Sequence, residues 1–181
     1  MNSNITITLF LGATVLCSSA CIRKHPVAAV TTHVVVHALT SEDKSLSGAN
    51  AKFYKALNAM ATGDASAMDA IWSHAGDVTD LGPFGGTLVG WNAVRAEFKK
   101  EAAMKLGGEV ECYDLHLVEG TDWGYAVCTE IAKGMTADGI KVAPKFRATN
   151  IFRREDGEWK LVHHHTDLSP ELQNPTGGTA K

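Results

Sequence analysis

The sequence predicts an α+β fold, with helices in the first half of the domain and an antiparallel sheet in the second. Apolar residues recur at helical spacing as far as Met104, and beyond Gly108 the period changes to two. The period-two segments are separated by glycine-containing turns, the pattern of consecutive antiparallel strands rather than of alternating β and α units.

The domain is expected to span residues 47–170. Its first helix carries Phe53, Leu57, Met60 and Ala61 on one side and stops at Gly63. Asp64 can cap a second helix that presents Met68, Ile71 and Trp72. Asp77 to Val89 reads as a hairpin broken by Gly82-Pro83-Phe84-Gly85-Gly86, a dense turn signal. A third helix runs from Trp91 to Met104, with Val94 and Phe98 at i, i+4 spacing, and Gly107-Gly108 ends it. Four strands follow, Val110–Val118, Trp123–Lys133, Lys145–Arg153 and Trp159–Asp167, and residues 171–181 read as a disordered tail.

Composition narrows the function. The chain has 181 residues, 45% hydrophobic and 20% charged, with a formal net charge of −3. One domain with a real core fits that length, and a slightly acidic chain without a Lys/Arg run argues against nucleic acid. Residues 1–20 differ from the rest: Ile5 to Leu16 is apolar and threonine-rich, too short to span a bilayer, and it ends in the small residues Cys17-Ser18-Ser19-Ala20-Cys21. This reads as a signal peptide on an exported protein, with residues 21–46 as linker. Ala20-Cys21 also resembles the end of a bacterial lipobox, which implies a lipid anchor at Cys21, although no Lys or Arg precedes the apolar run and Ser18 stands where Leu is usual. An uncleaved N-terminal anchor is the alternative. Cys112 and Cys128 then remain in the domain, either as a disulfide or, the simpler reading, as two buried thiols.

The last hairpin holds the candidate site. A three-residue loop with a bulge at Gly157 would set Arg154 opposite Glu158, Ile151 opposite Leu161, Thr149 opposite His163 and Arg147 opposite His165. Trp159, Leu161, His163, His165 and Asp167 would then share one face. A two-residue Asp-Gly turn would instead bring Ala148 and Asn150 to the histidines; the first register is preferred because it pairs two apolar side chains. Two imidazoles and a carboxylate on one face can exchange protons near neutral pH. Arg147 beside them would favour an anionic ligand. The His-x-His spacing also suits a metal, with His74 as a third ligand, and a purely structural hydrogen-bonded cluster is the bland alternative. No cofactor is expected, and no resident metal.

Three stretches carry a resemblance: Ile71-Trp72-Ser73-His74-Ala75-Gly76-Asp77-Val78-Thr79, then Gly82 to Gly86 followed by Gly90-Trp91, and Phe152 through His165. Together they resemble the SnoaL-like and DUF4440-like branch of the nuclear-transport-factor-2-like (NTF2-like) superfamily, over about residues 48–169. The resemblance implies a cystatin-like cone in which a bent antiparallel sheet wraps a long helix around a pocket. It assigns Trp72, His74, Asp77, Arg147 and Thr149 to ligand binding and His163, His165 and Asp167 to chemistry. Tyr54, with Asp77 or Asp80, supplies the residue types used by the steroid isomerases of the superfamily, whose surrounding motifs do not match. A small-molecule binder that forms a homodimer through the outer sheet face is the leading expectation. An isomerase or lyase using His163 or His165 as base, and a non-catalytic assembly module, are the competing ones.

Overall fold

The structure, a computed structural model, describes residues 43–83 and 86–173. The expected signal peptide, Cys21, residues 22–42 of the expected linker and residues 174–181 of the expected tail lie outside the described residues. Among the described residues no helix is long and apolar enough to cross a membrane.

Helix α1 (Leu46–Ala61) starts where Ser45 accepts a hydrogen bond from the Gly48 backbone N–H at 3.0 Å, so the last residue of the expected linker is helical. Its buried stripe includes Leu46, Phe53, Tyr54 and Met60, and it ends at Thr62 and Gly63. Helix α2 (Met68–Ile71) is a single turn. Asp64 does not cap it; its carboxylate accepts from the Ser66 backbone N–H at 2.9 Å, closing a turn ahead of the helix. Strands β1 (Thr79–Leu81) and β2 (Leu88–Val89) form the expected short hairpin, and α3 (Trp91–Met104) buries Trp91, Val94, Phe98 and Ala102.

Four long strands follow: β3 (Glu109–Glu119), β4 (Trp123–Lys133), β7 (Lys145–Glu155) and β8 (Glu158–Leu168). Between them a small hairpin that the sequence reading did not anticipate, β5 (Met135–Ala137) with β6 (Ile140–Val142), stands apart from the main sheet. Helix α4 (Pro170–Gln173) extends the ordered chain past the expected start of the tail. The main sheet runs β2-β1-β8-β7-β4-β3 and is mixed, because β1 pairs with β8 in parallel. The all-antiparallel expectation fails at that one junction. There the chain from Trp72 onward lies along β8, with the Ser73 N–H on the Leu161 carbonyl at 2.9 Å.

The helices pack on the concave face, burying Phe53, Trp72, Phe152 and Leu161 to 1% exposure or less. Each such side chain contributes about 1.5–3 kcal/mol relative to exposure. Close approach requires Gly124, where a Cβ would lie 2.5 Å from Leu46 Cδ2 and 2.9 Å from the Val118 carbonyl oxygen.

The β7–β8 hairpin departs from the expected register twice. Its turn has two residues, Asp156 and Gly157, both at positive φ (50° and 81°), so Glu155 faces Glu158 and Phe152 faces Leu161. A bulge then inserts Val162, so that Ile151 faces His163, Thr149 faces His165 and Arg147 faces Asp167. The extra residue exchanges the faces. Trp159, Leu161, Val162, His164 and Thr166 are buried, whereas His163, His165 and Asp167 point to the other side.

Candidate functional site

The concave face and the helices enclose a cavity of about 150 Å³. Room for it comes from β4, whose inward positions read Gly124, Ala126, Cys128, Glu130 and Ala132: small side chains and one carboxyl. Phe53 and Met60 of α1, Trp72, Phe98 of α3 and Phe146 of β7 give it apolar walls. The polar groups on these walls are few: Asp80, Glu101, Glu130, His164, Thr166 and the Trp72 indole.

Three of these carry polar atoms with no hydrogen-bond partner among the described residues: Trp72 Nε1, Asp80 Oδ1 and Thr166 Oγ1. Their residues are 1%, 3% and 5% exposed, and a buried unpaired donor or acceptor costs about 1–3 kcal/mol. Asp80 is pushed up to about 7 by burial and by the charge of Glu97. Glu101 rises to about 7 through burial, then through Asp80 and Glu97. Glu130 reaches about 7 by burial, opposed by the Tyr54 hydroxyl, which donates to Oε1 at 2.9 Å.

A buried hydrogen-bond chain backs this wall. His164 Nδ1 meets Asn150 Oδ1 at 2.6 Å, so Nδ1 carries the proton and Nε2 is the acceptor nitrogen. Burial, then the charges of His163 and His165, lowers His164 to about 3 and keeps it neutral. Asn150 in turn donates to Asn50 Oδ1 at 3.1 Å. Tyr54, whose own ionisation is suppressed by burial and by Glu130, also lies 3.1 Å from Cys128 Sγ. Cys112 and Cys128 are free thiols. Their direct interaction lowers Cys112 and raises Cys128.

The residues singled out in the sequence divide unevenly. Trp72 lines the cavity, and Tyr54 stands behind it through Glu130. Arg147, Thr149, His163, His165 and Asp167 share one face, but without Trp159 and Leu161, and it is the sheet face turned away from the cavity: the two-residue turn puts Phe152 rather than Ile151 inside on β7, and the Val162 bulge turns the histidines out on β8. There Arg147 makes a two-point ion pair with Asp167, with Nε on Oδ1 at 2.9 Å, which holds the Asp167 carboxyl below its usual range. His163 Nδ1 is 2.7 Å from Thr79 Oγ1 and is lowered by burial and by His165. His74 stacks on Trp91 at 4.5 Å and contacts the Asp69 carbonyl at 2.8 Å, and Asp77 pairs with Arg153 at 2.7 Å. Among the described residues no guanidinium lines the cavity, so Arg147 gives no reason to expect an anionic ligand there. Among the described residues no group of three His, Cys, Asp or Glu side chains could hold a metal ion.

Glu101, Glu130, His164 and Thr166 were missed, and Asp80 was named only as an alternative to Asp77 beside Tyr54. Glu130 had a readable signal, a lone carboxyl at a period-two position among small apolar residues; His164 had none, since only the bulge turns it inward.

A cone of helices against a curved mixed sheet, closed around one largely apolar cavity, defines an NTF2-like, cystatin-like domain. The SnoaL-like domain model matches residues 48–169, and the chain belongs to that family. No curated protein matches it. Among solved structures it is similar to a candidate dehydratase of the NTF2-like family from Streptomyces avermitilis, at 27% identity and TM-score 0.57 over 67% of this chain and 92% of that one. It is also similar to a candidate calcium/calmodulin-dependent protein kinase type II association domain from Thiobacillus denitrificans, at 25% identity and TM-score 0.58 over 69% of this chain and 95% of that one. An uncharacterised cystatin-like protein from Caulobacter vibrioides shares the fold, at 16% identity and TM-score 0.59 over 74% and 94% of the two chains.

Proposed function

We propose that this chain is an exported SnoaL-like protein that binds a small, mainly apolar molecule in the cone cavity. The observation that carries the reading is the set of unpartnered polar atoms on otherwise apolar walls, Trp72 Nε1, Asp80 Oδ1 and Thr166 Oγ1. Buried polar atoms are normally paired, and a pocket with few convergent polar groups is how ligands are oriented. Export rests on the sequence of residues 1–21. Dimerisation through the outer sheet face is supported by exposed Tyr113, Val118 and Tyr125 there, and Tyr125→Asp with sedimentation analysis tests it.

The test of binding is native mass spectrometry of protein from its own host, followed by thermal shift with the molecule recovered. Ala132→Leu, which fills the cavity from β4, should abolish the shift. Equal stabilisation of wild type and variant would place the ligand elsewhere.

Proton transfer is the second reading, an isomerase or lyase in which Asp80 acts as base. Its pKa of about 7 and its unpartnered oxygen inside an apolar enclosure favour it over His163 or His165, which face away. Under this reading Asp80→Asn abolishes turnover while a bound product analogue still stabilises the protein.

A further inference from the structure

Resting on the reading that the cavity is the binding site, we propose that its ligand is a lipophilic cation, an amine protonated at neutral pH whose ammonium group sits among Asp80, Glu101 and Glu130. Three carboxyls from three elements (β1, α3 and β4) line one cavity, and among the described residues no Lys or Arg lines it. Asp80 and Glu130 are each 3% exposed. Gly82 lies between the first two groups: a Cβ on it would lie 3.6 Å from Glu101 Oε1 and 3.9 Å from Asp80 Oδ2.

Buried carboxyls without cationic partners have two ways to avoid an unpaired charge: they hold protons, or they meet a cation. In the free protein the first applies, since burial and mutual repulsion lift all three toward neutrality. An entering ammonium supplies the second and displaces protons from the cluster. An anion would add a further like charge, and a neutral molecule would leave the cluster as it is. The walls fit the rest of such a ligand. Phe53, Trp72, Phe98 and Phe146 offer apolar surface and ring faces that attract cations, and an oxygen on the apolar body would accept from Trp72 Nε1.

The ionisable groups near the cluster, from each element packed there, are Asp80, Glu97 and Glu101, Glu130, His164, Tyr54, Cys112 and Cys128. His164 stays neutral and Tyr54 stays protonated, while Glu97 acts from outside the cavity, in an ion pair with Lys100. The pH dependence therefore belongs to the carboxyls.

The experiment compares three probes with one skeleton, 4-phenylbutylamine, 4-phenylbutanol and 4-phenylbutyrate, by calorimetry on the whole protein. The amine should bind roughly tenfold or more tightly than the alcohol at about pH 8, and butyrate weakest. Amine affinity should fall in acid, with proton release seen as heats that depend on the buffer, and alcohol affinity should not. Asp80→Asn and Glu130→Gln should each remove most of the preference for the amine. Equal binding of amine and alcohol, unchanged in both variants, overturns the cation while leaving the cavity as the site. Undiminished binding of the alcohol by Ala132→Leu would place binding elsewhere, and saturable binding of none of the probes at millimolar concentration ends both readings.

Discussion

Replacing Asp80 with asparagine is expected to stabilise the free protein at and above neutral pH and to leave it nearly unchanged in acid. The Asp80 carboxyl goes from an ordinary 3.8 in the unfolded chain to about 7 when folded. The folded state therefore holds a proton that the unfolded chain has released, and stability falls as pH rises between those two values. Each unit is worth about 1.4 kcal/mol, which makes the ionised carboxyl a burden of up to about 4 kcal/mol near pH 8. Glu101 and Glu130 share the repulsion, and the amide leaves its own donors to satisfy. The net gain in the variant is then about 2–4 kcal/mol, falling to within about 0.5 kcal/mol near pH 4. Urea unfolding of both proteins at several pH values reads this directly. Wild-type stability should decline across the window, and the variant curve should be flatter. A difference between the two proteins that did not change with pH would show that Asp80 does not ionise inside the cavity, and the electrostatic account of the site would fall with it.

His164→Ala should destabilise by about 2–4 kcal/mol, because it opens space beside Phe53 and strips Asn150 Oδ1 of its partner, whereas His165→Ala on the outer face should change stability by less than about 1 kcal/mol. Denaturant midpoints of the two single variants decide it; equal losses would contradict the assigned faces. Gly124→Ala should cost about 1–3 kcal/mol, since its methyl meets Leu46 and the Val118 carbonyl, and the companion substitution Leu46→Ala should soften the effect.

Much of the architecture was legible because it depends on local chemistry. Phe53, Leu57 and Met60 repeat at the helical period, α3 ends where expected at Met104, and the four long strands follow from alternation and glycine turns. Part of the outer cluster was legible too: His163, His165 and Asp167 alternate onto one side, whereas Trp159 and Leu161, expected with them, lie on the other side of the Val162 bulge.

Which side faces inward was decided only by the tertiary structure. Alternation gives parity but not its origin, and the extra residue Val162 reverses parity halfway along β8, so the turn-proximal Leu161 and the distal His164 are both buried. The bulge sits where Trp72 and Ser73 meet Leu161 and, just beyond, β1 pairs with His163 to His165; those are contacts between segments more than eighty residues apart. The charge of the cavity has the same origin. Asp80, Glu101 and Glu130 are unremarkable carboxylates in the sequence, and become a proton-holding cluster only because folding places them together, largely out of water and with no cation among the described residues lining the cavity.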